Sequence, residues 1–184
     1  MGNSYGYGNG NPSQKEVREL RKKLKELEQV EEKHRKLINQ LKTQLEHYEY
    51  MLNRIRNYAI LMLDPQGYII SCNNEVENLQ GYRKDELIGK HFSLFYTDVD
   101  VDRGKPQKEL QMALQKAVIE DEGWRIKKDG SRFWAKVVLS TVRDKDGYLI
   151  GFVKVVQDLT RRKKLEEELR DAKERFEGIL NSVN

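Results

Sequence analysis

Cysteine is nearly absent: Cys72 stands alone in 184 residues. No disulfide can close within the chain, a zinc site built on cysteines lacks ligands, and a reducing, cytoplasmic setting fits best. Long apolar runs are missing as well. The longest, Ala59 to Leu63, falls far short of the roughly 20 residues that a membrane helix needs. The opening "MGNSYGYGNGNPS" has neither the basic nor the apolar region of a signal peptide. Gly6 also stands where a myristoylation signal wants Ser or Thr, and residues 1–13 read as a disordered leader. Neither sign of charge dominates: 34 basic and 30 acidic residues, net +4, are interleaved rather than blocked. That pattern argues for solvated helices and against a nucleic-acid surface.

Catalytic signatures are lacking too. There is no phosphate-binding glycine loop, no metal-ligand spacing and no serine nucleophile motif, so no catalytic or metal-binding residue is assigned and the chain reads as a non-enzyme. "DVDVDRG" at 98–104 lacks the sixth-position glycine and the closing glutamate of a calcium loop. It reads as a solvated linker.

What is present begins at Gln14. Val17, Leu20, Leu24, Leu27, Ile38, Leu41, Leu45, Tyr48, Leu52 and Ile55 alternate by three and four, with Glu31 and His34 interrupting the seam. This is a coiled-coil pattern, free of proline and glycine. It predicts a helix over 14–57, roughly 65 Å long at 1.5 Å per residue. So narrow an apolar stripe calls for a partner helix, and the simplest partner is a second copy. Leu165, Leu169 and Phe176 repeat the pattern in 161–184. That helix is still striped at its end, so the chain is expected to continue into an output domain.

Between the helices, "AILMLDPQGYIISCN" predicts two strands around a Pro-Gln-Gly turn. Short helices punctuated by Gly81 and Gly89 follow. "GKPQKELQMALQKAVIED" predicts a longer helix with Pro106 in its first turn and an apolar side of Leu110, Ala113, Leu114, Ala117 and Val118. Three strands close the domain, turning at Lys128-Asp129-Gly130 and at Asp144-Lys145-Asp146-Gly147. In the middle strand, Phe133, Ala135, Val137 and Leu139 face one way and Trp134, Lys136 and Val138 the other. Both faces are largely apolar, so both are expected to be covered. Two strands, helices, then three strands make an α+β domain with an antiparallel sheet, placed at 58–160.

At "AILMLDPQGYII", "GYRKDELIGKHF", "KKDGSRFW" and "GFVKVVQDLTRRK" the chain resembles a PAS domain, a sensory module of bacterial signalling proteins. The resemblance implies a five-stranded antiparallel sheet with short helices on one face, cupping a small ligand pocket. On that implication the pocket is lined by His91, Phe92, Phe95, Met112, Arg125, Ala135 and Val156. It further implies that Asp158, Leu159 and Thr160 couple the last strand to the output helix.

Flavin-binding light sensors of the LOV type align most readily, yet Phe92 takes the place of their photoreactive cysteine. The two asparagines and the glutamine that hold their flavin correspond to Arg125, Ala135 and Val156. LOV photochemistry, which needs a thiol beside the ring, is therefore rejected. For haem the one histidine within the domain core is His91, which reads first as a packed or capping side chain and only second as an axial ligand. The LOV resemblance implies that Arg125 and Lys154 also point toward this pocket, where an acidic residue such as Glu86 or Asp121, or an anionic ligand, would balance them. Two readings result: a cytosolic, homodimeric PAS sensory segment that relays a pocket or partner signal, or a ligand-free dimerising spacer.

Overall fold

The computed structural model describes residues 13–183, with side chains through Gly178; the expected leader at 1–13 lies, but for Ser13, outside the described residues. The chain divides into two compact units, the first ending at Tyr48 and the second beginning at Glu49. Helix α1 spans Gln14–Arg54. Its start is a reciprocal cap, in which Ser13 N–H donates to Glu16 Oε2 at 2.7 Å and Glu16 N–H donates to Ser13 Oγ at 3.3 Å, satisfying two otherwise orphaned donors. No residue of α1 is buried.

The second unit holds β1 (Tyr58–Leu63), β2 (Ile69–Cys72), α2 (Glu75–Gln80), α3 (Lys84–Leu87), a 3-10 turn at Phe92–Phe95, α4 (Asp98–Asp102), α5 (Lys105–Lys116), β3 (Val118–Ile126), β4 (Arg132–Arg143), β5 (Leu149–Asp158) and α6 (Thr160–Val183). The five strands form one antiparallel sheet in the order β2-β1-β5-β4-β3. Two of its hairpins use one device. Asp64 Oδ1 accepts from the N–H groups of Gln66 and Tyr68, and Asp144 Oδ1 accepts from those of Asp146 and Tyr148. Gly67 and Gly147 sit at positive φ, which an aspartate-led turn requires of its fourth residue.

Strict alternation along the strands builds the core. Ala59, Leu61 and Leu63 of β1 and Phe133, Ala135, Val137 and Leu139 of β4 are buried on the face that meets the helices. Period-two sequences put their apolar residues on one side of a pleated sheet, and the helical layer covers that side. The opposite face stays half-exposed in the single chain: Trp124 retains 43% of its surface. Trp124 pairs in register with Trp134, ring centroids 5.4 Å apart and edge to face. Thus only one of the two faces expected to be covered is covered within the chain, and the tryptophans lie on the open one.

Two expectations change. The central helix ends at Lys116 rather than continuing through Val118, and 118–121 begin β3. Of the expected apolar side, Leu110 and Ala113 are buried while Leu114, Ala117 and Val118 are exposed; Pro106 and Glu109 are buried beside the first two. The expected linker at 98–104 contains the helical turn α4, whose cap Thr97 Oγ1 accepts from Asp100 N–H at 3.2 Å.

The reversal after α5 depends on Ala117, held at φ 64° and ψ −37°, while its carbonyl accepts from Thr141 N–H at 2.8 Å. That backbone region strains any residue with a Cβ. Ala117→Gly is expected to stabilise the fold by about 1 kcal/mol, read as a higher urea midpoint; an unchanged midpoint would show that the bend carries no strain.

Candidate functional site

The space between sheet and helices is occupied by the protein's own side chains. Phe92 and Phe95 of the 3-10 turn, Phe133 and Ala135 of β4, and Val156 of β5 keep no more than 1% of their surface. A hollow large enough for water would leave such surfaces accessible, so the space they enclose is filled. Five of the residues predicted to line a pocket are brought together here: Phe92, Phe95, Arg125, Ala135 and Val156. Met112 is not among them; it sits on the outer side of α5, 41% exposed.

His91 lies at the rim as the cap of the 3-10 turn. Its Nδ1 accepts from Ser93 N–H at 3.2 Å and lies 2.8 Å from Ser93 Oγ. The ring stacks edge-on against Tyr68 at 5.4 Å and tilts over Phe92 at 4.9 Å. A Cβ at Gly67 would stand 2.7 Å from His91 Nε2, so glycine is required for the ring to fit. The capping alternative describes this geometry, and neither ring nitrogen is shown reaching the interior.

The interior is ionic as well as aromatic. Period two places Lys154 on the inner face of β5, in register with Leu61 and Leu139, and Arg125 on the inner face of β3, beside Phe133. Both are within 1% of complete burial. Arg125 Nη2 donates to Asp121 Oδ2 at 2.7 Å and lies 3.6 Å from Glu109 Oε1. Lys154 Nζ donates to Tyr96 Oη at 2.6 Å, and the Tyr96 hydroxyl donates to Glu109 Oε2 at 2.5 Å. Lys105 Nζ completes the rim, 2.8 Å from Asp121 Oδ2. Of the two acidic partners weighed for Arg125 and Lys154, Asp121 bonds Arg125, whereas Glu86 bonds Lys128 on the surface and neither bonds Lys154.

Burial acts against the charged forms of Asp121, Tyr96 and Lys154. It pushes the Asp121 carboxyl upward, but hydrogen bonds from Lys105 and Arg125 outweigh it and leave the pKa below the usual carboxylate value. For Tyr96, burial and the neighbouring Glu109 hold the phenol well above its ordinary pKa, so it stays protonated and free to donate. Burial lowers Lys154 to about 7, Glu109 opposing and Arg125 adding to the shift. Such desolvation disfavours a charged amine.

Glu109 and Tyr96 escaped sequence reasoning. The available signal was an acidic residue within the i, i+3, i+4 spacing of Pro106, Leu110 and Ala113, facing two basic residues at inward strand positions. Asn73 was missed also. Its Oδ1 accepts from Ile60 N–H, and its amide donates to Tyr58 and Leu52 carbonyls, fastening the end of α1 to β1.

At the exit of the sheet, Asp158 Oδ1 accepts from Thr160 N–H at 2.8 Å and from its hydroxyl at 2.6 Å. Trp134 N–H donates to Thr160 Oγ1 at 2.9 Å, and Leu159 N–H to the Trp134 carbonyl at 2.8 Å. The first turn of α6 is thereby tied to β4. Among the described residues no cluster of His, Cys, Asp and Glu is arranged to hold a metal ion, and no helix is long and apolar enough to cross a membrane.

This architecture, a five-stranded antiparallel sheet with its helices on one face and a C-terminal helix tied to β4, is a single-sheet α+β module. Residues 57–161 match the PAS domain family, and the chain belongs to it. Two-component system protein A of Emericella nidulans is 47% identical over 121 residues, covering 66% of this chain and 18% of that protein. Sensor protein TdiS of Thauera aromatica is 30% identical over 112 residues, covering 61% and 20% respectively. The chain thus spans about a fifth of the length of these relatives, which are signal-transduction proteins by name. Among solved structures, a PAS domain from Colwellia psychrerythraea superimposes with a TM-score of 0.58 at 21% identity, covering 64% of this chain and 98% of that one.

Proposed function

We propose that this chain is the sensory or regulatory segment of a larger cytoplasmic signal-transduction protein, working as a homodimer. In this reading residues 14–57 and 161–184 are coiled-coil helices flanking a PAS domain at 58–160. A change in the core moves β5, the clamp at Asp158, Leu159 and Thr160 transmits it, and α6 carries it to an output domain. The observation that supports this reading best is the apolar stripe of α1. Leu41 and Leu45 keep 55% and 60% of their surface at positions a coiled coil would bury. Leu165, Leu169 and Phe176 are exposed in the same manner on α6.

Oligomeric state tests the proposal. The protein is expected to scatter light as a dimer at micromolar concentration. Leu41→Lys with Leu45→Lys should return the monomer mass while the β-sheet circular-dichroism signal persists; an unaltered mass would overturn dimerisation through α1.

The filled interior favours a second reading, a ligand-free module in which PAS domains serve as spacers. An absorption spectrum of the purified protein, with mass spectrometry of anything released on denaturation, separates the two. A chromophore or bound metabolite would refute the ligand-free reading.

A further inference from the structure

Six side chains of the interior and its rim form one connected cluster, and their charges do not balance. The cations are Lys105 and Arg125 together with Lys154 in its protonated form; the carboxylates are Glu109 and Asp121. Asp121 Oδ2 serves Lys105 at 2.8 Å and Arg125 at 2.7 Å. Glu109 is 2% exposed, and its Oε2 takes the Tyr96 hydroxyl. Lys154 is left without a direct carboxylate hydrogen bond, since Glu109 Oε2 lies 3.9 Å away. Its hydrogen bond goes to the uncharged phenol of Tyr96, and the rings of Phe92 and Tyr96 stand 4.6 and 4.7 Å from Nζ.

An ammonium has three hydrogens to donate and a neutral amine two. A buried charge without matching acceptors is held at a cost, so the third hydrogen on Lys154 is the weakest-held proton of the cluster. Losing it leaves Lys105 and Arg125 against Glu109 and Asp121, two positive charges and two negative. The hydrogen bonds survive the loss, because an amine N–H still donates to Tyr96 Oη and the phenol still donates to Glu109. Both protonation states therefore fit the same fold.

We propose that Lys154, at the end of the Lys154–Tyr96–Glu109 chain, is a proton-binding site, and that the ligand of this PAS core is a proton rather than a metabolite. The step is R–NH3+ releasing a proton to solvent to give R–NH2, with no other reactant. Around Lys154, the 3-10 turn and the residue that follows it supply Phe92 and Tyr96, α5 supplies Lys105 and Glu109, β3 supplies Asp121 and Arg125, and β1 and β4 offer Leu61 and Leu139 in register. The depressed affinity of Lys154 for its proton, with a midpoint near 7, agrees with this geometry. Uptake adds an uncompensated positive charge to the middle of β5, four residues before Asp158; the consequence for α6 rests on the sensor reading above.

The site is tested on the full chain labelled with 13C and 15N at lysine. One lysine Nζ/Cε signal is expected to titrate with a midpoint between pH 6.5 and 8, apart from the others near 10.4, and to vanish in Lys154→Met. If that variant fails to fold, the wild-type protein decides: its folding equilibrium constant should rise several-fold per pH unit between pH 7.5 and 9.5. A Lys154 that titrates with the surface lysines, or stability flat across that window, overturns the proposal. Backbone amide shifts of 158–165 followed through the same titration separate it from the sensor reading. A titrating Lys154 with no movement there upholds the proton site and overturns its coupling to α6.

Discussion

Glu109→Leu is expected to destabilise the protein by about 3–5 kcal/mol at pH 6, the range for breaking a buried ion pair by removing one partner. The substitution takes away the carboxylate beside Lys154 and Arg125 and the acceptor of the Tyr96 hydroxyl. Arg125 keeps Asp121; Lys154 keeps nothing charged. The loss should shrink as pH rises, and the sign follows from linkage. Lys154 has a folded-state pKa near 7, below its unfolded value. Between that value and about 10.4 the unfolded chain binds the extra proton, so folding gains as pH increases. Above pH 8 Lys154 is already neutral, and removing Glu109 strands only part of the cluster. Adding Lys154→Met to Glu109→Leu should recover part of the deficit at pH 6, since paired removal avoids an orphaned charge. Urea denaturation of the wild type and both variants at pH 6 and pH 9 measures these differences; equal losses at both pH values would show that Lys154 does not change its protonation between them.

Gly151→Ala is expected to cost about 3 kcal/mol or more, beyond the usual penalty for an added methyl in a packed site. Gly151 sits at φ 158° where the β4–β5 register slips between Val142 and Arg143. A Cβ built there falls 2.0 Å from the Leu63 carbonyl oxygen, a backbone atom that cannot rotate away. Gly130→Ala provides the comparison. It shares a positive φ but has open space around it, so only the conformational penalty of about 1 kcal/mol applies. Matching urea midpoints for the two variants would mean that β1 and β5 part easily at that end.

The order of elements was legible in the sequence because local signals agree with the final structure. Alternation in 132–143 sorted the residues of β4 onto its two faces without saying which is inner, and the aspartate-glycine turns placed its neighbours. The inward placement of Arg125 and Lys154 came from the resemblance to LOV strand faces, and the burial of both agrees with it. What could not be read were partners supplied from a distance. Glu109 reaches Lys154 and Arg125 only because α5 packs on the sheet, and Tyr96 meets Lys154 across 58 positions of sequence. The end of α5 was misplaced because 105–121 keeps an apolar spacing that a helix could use. A tertiary demand, the Thr141–Ala117 hydrogen bond, bends the chain at Ala117. Met112 was carried into the interior by resemblance alone, although its own helix turns it outward.

The sheet order has a consequence for synthesis. β1 lies between β2 and β5, and Tyr58 pairs with Gln157. Its second neighbour is therefore made roughly a hundred residues later, a non-local pairing of the kind that slows folding. At translation rates of about 5–20 residues per second, β1 waits on the order of 5–20 seconds with one edge bare. In that interval the hairpin with β2 is its only shelter within the sheet, and Ile60 and Met62 face the ribosome's surroundings rather than Val155 and Val153. The strand that closes the sheet is also the one that carries Lys154 into it, so the domain acquires its fold and its buried charge in the same event.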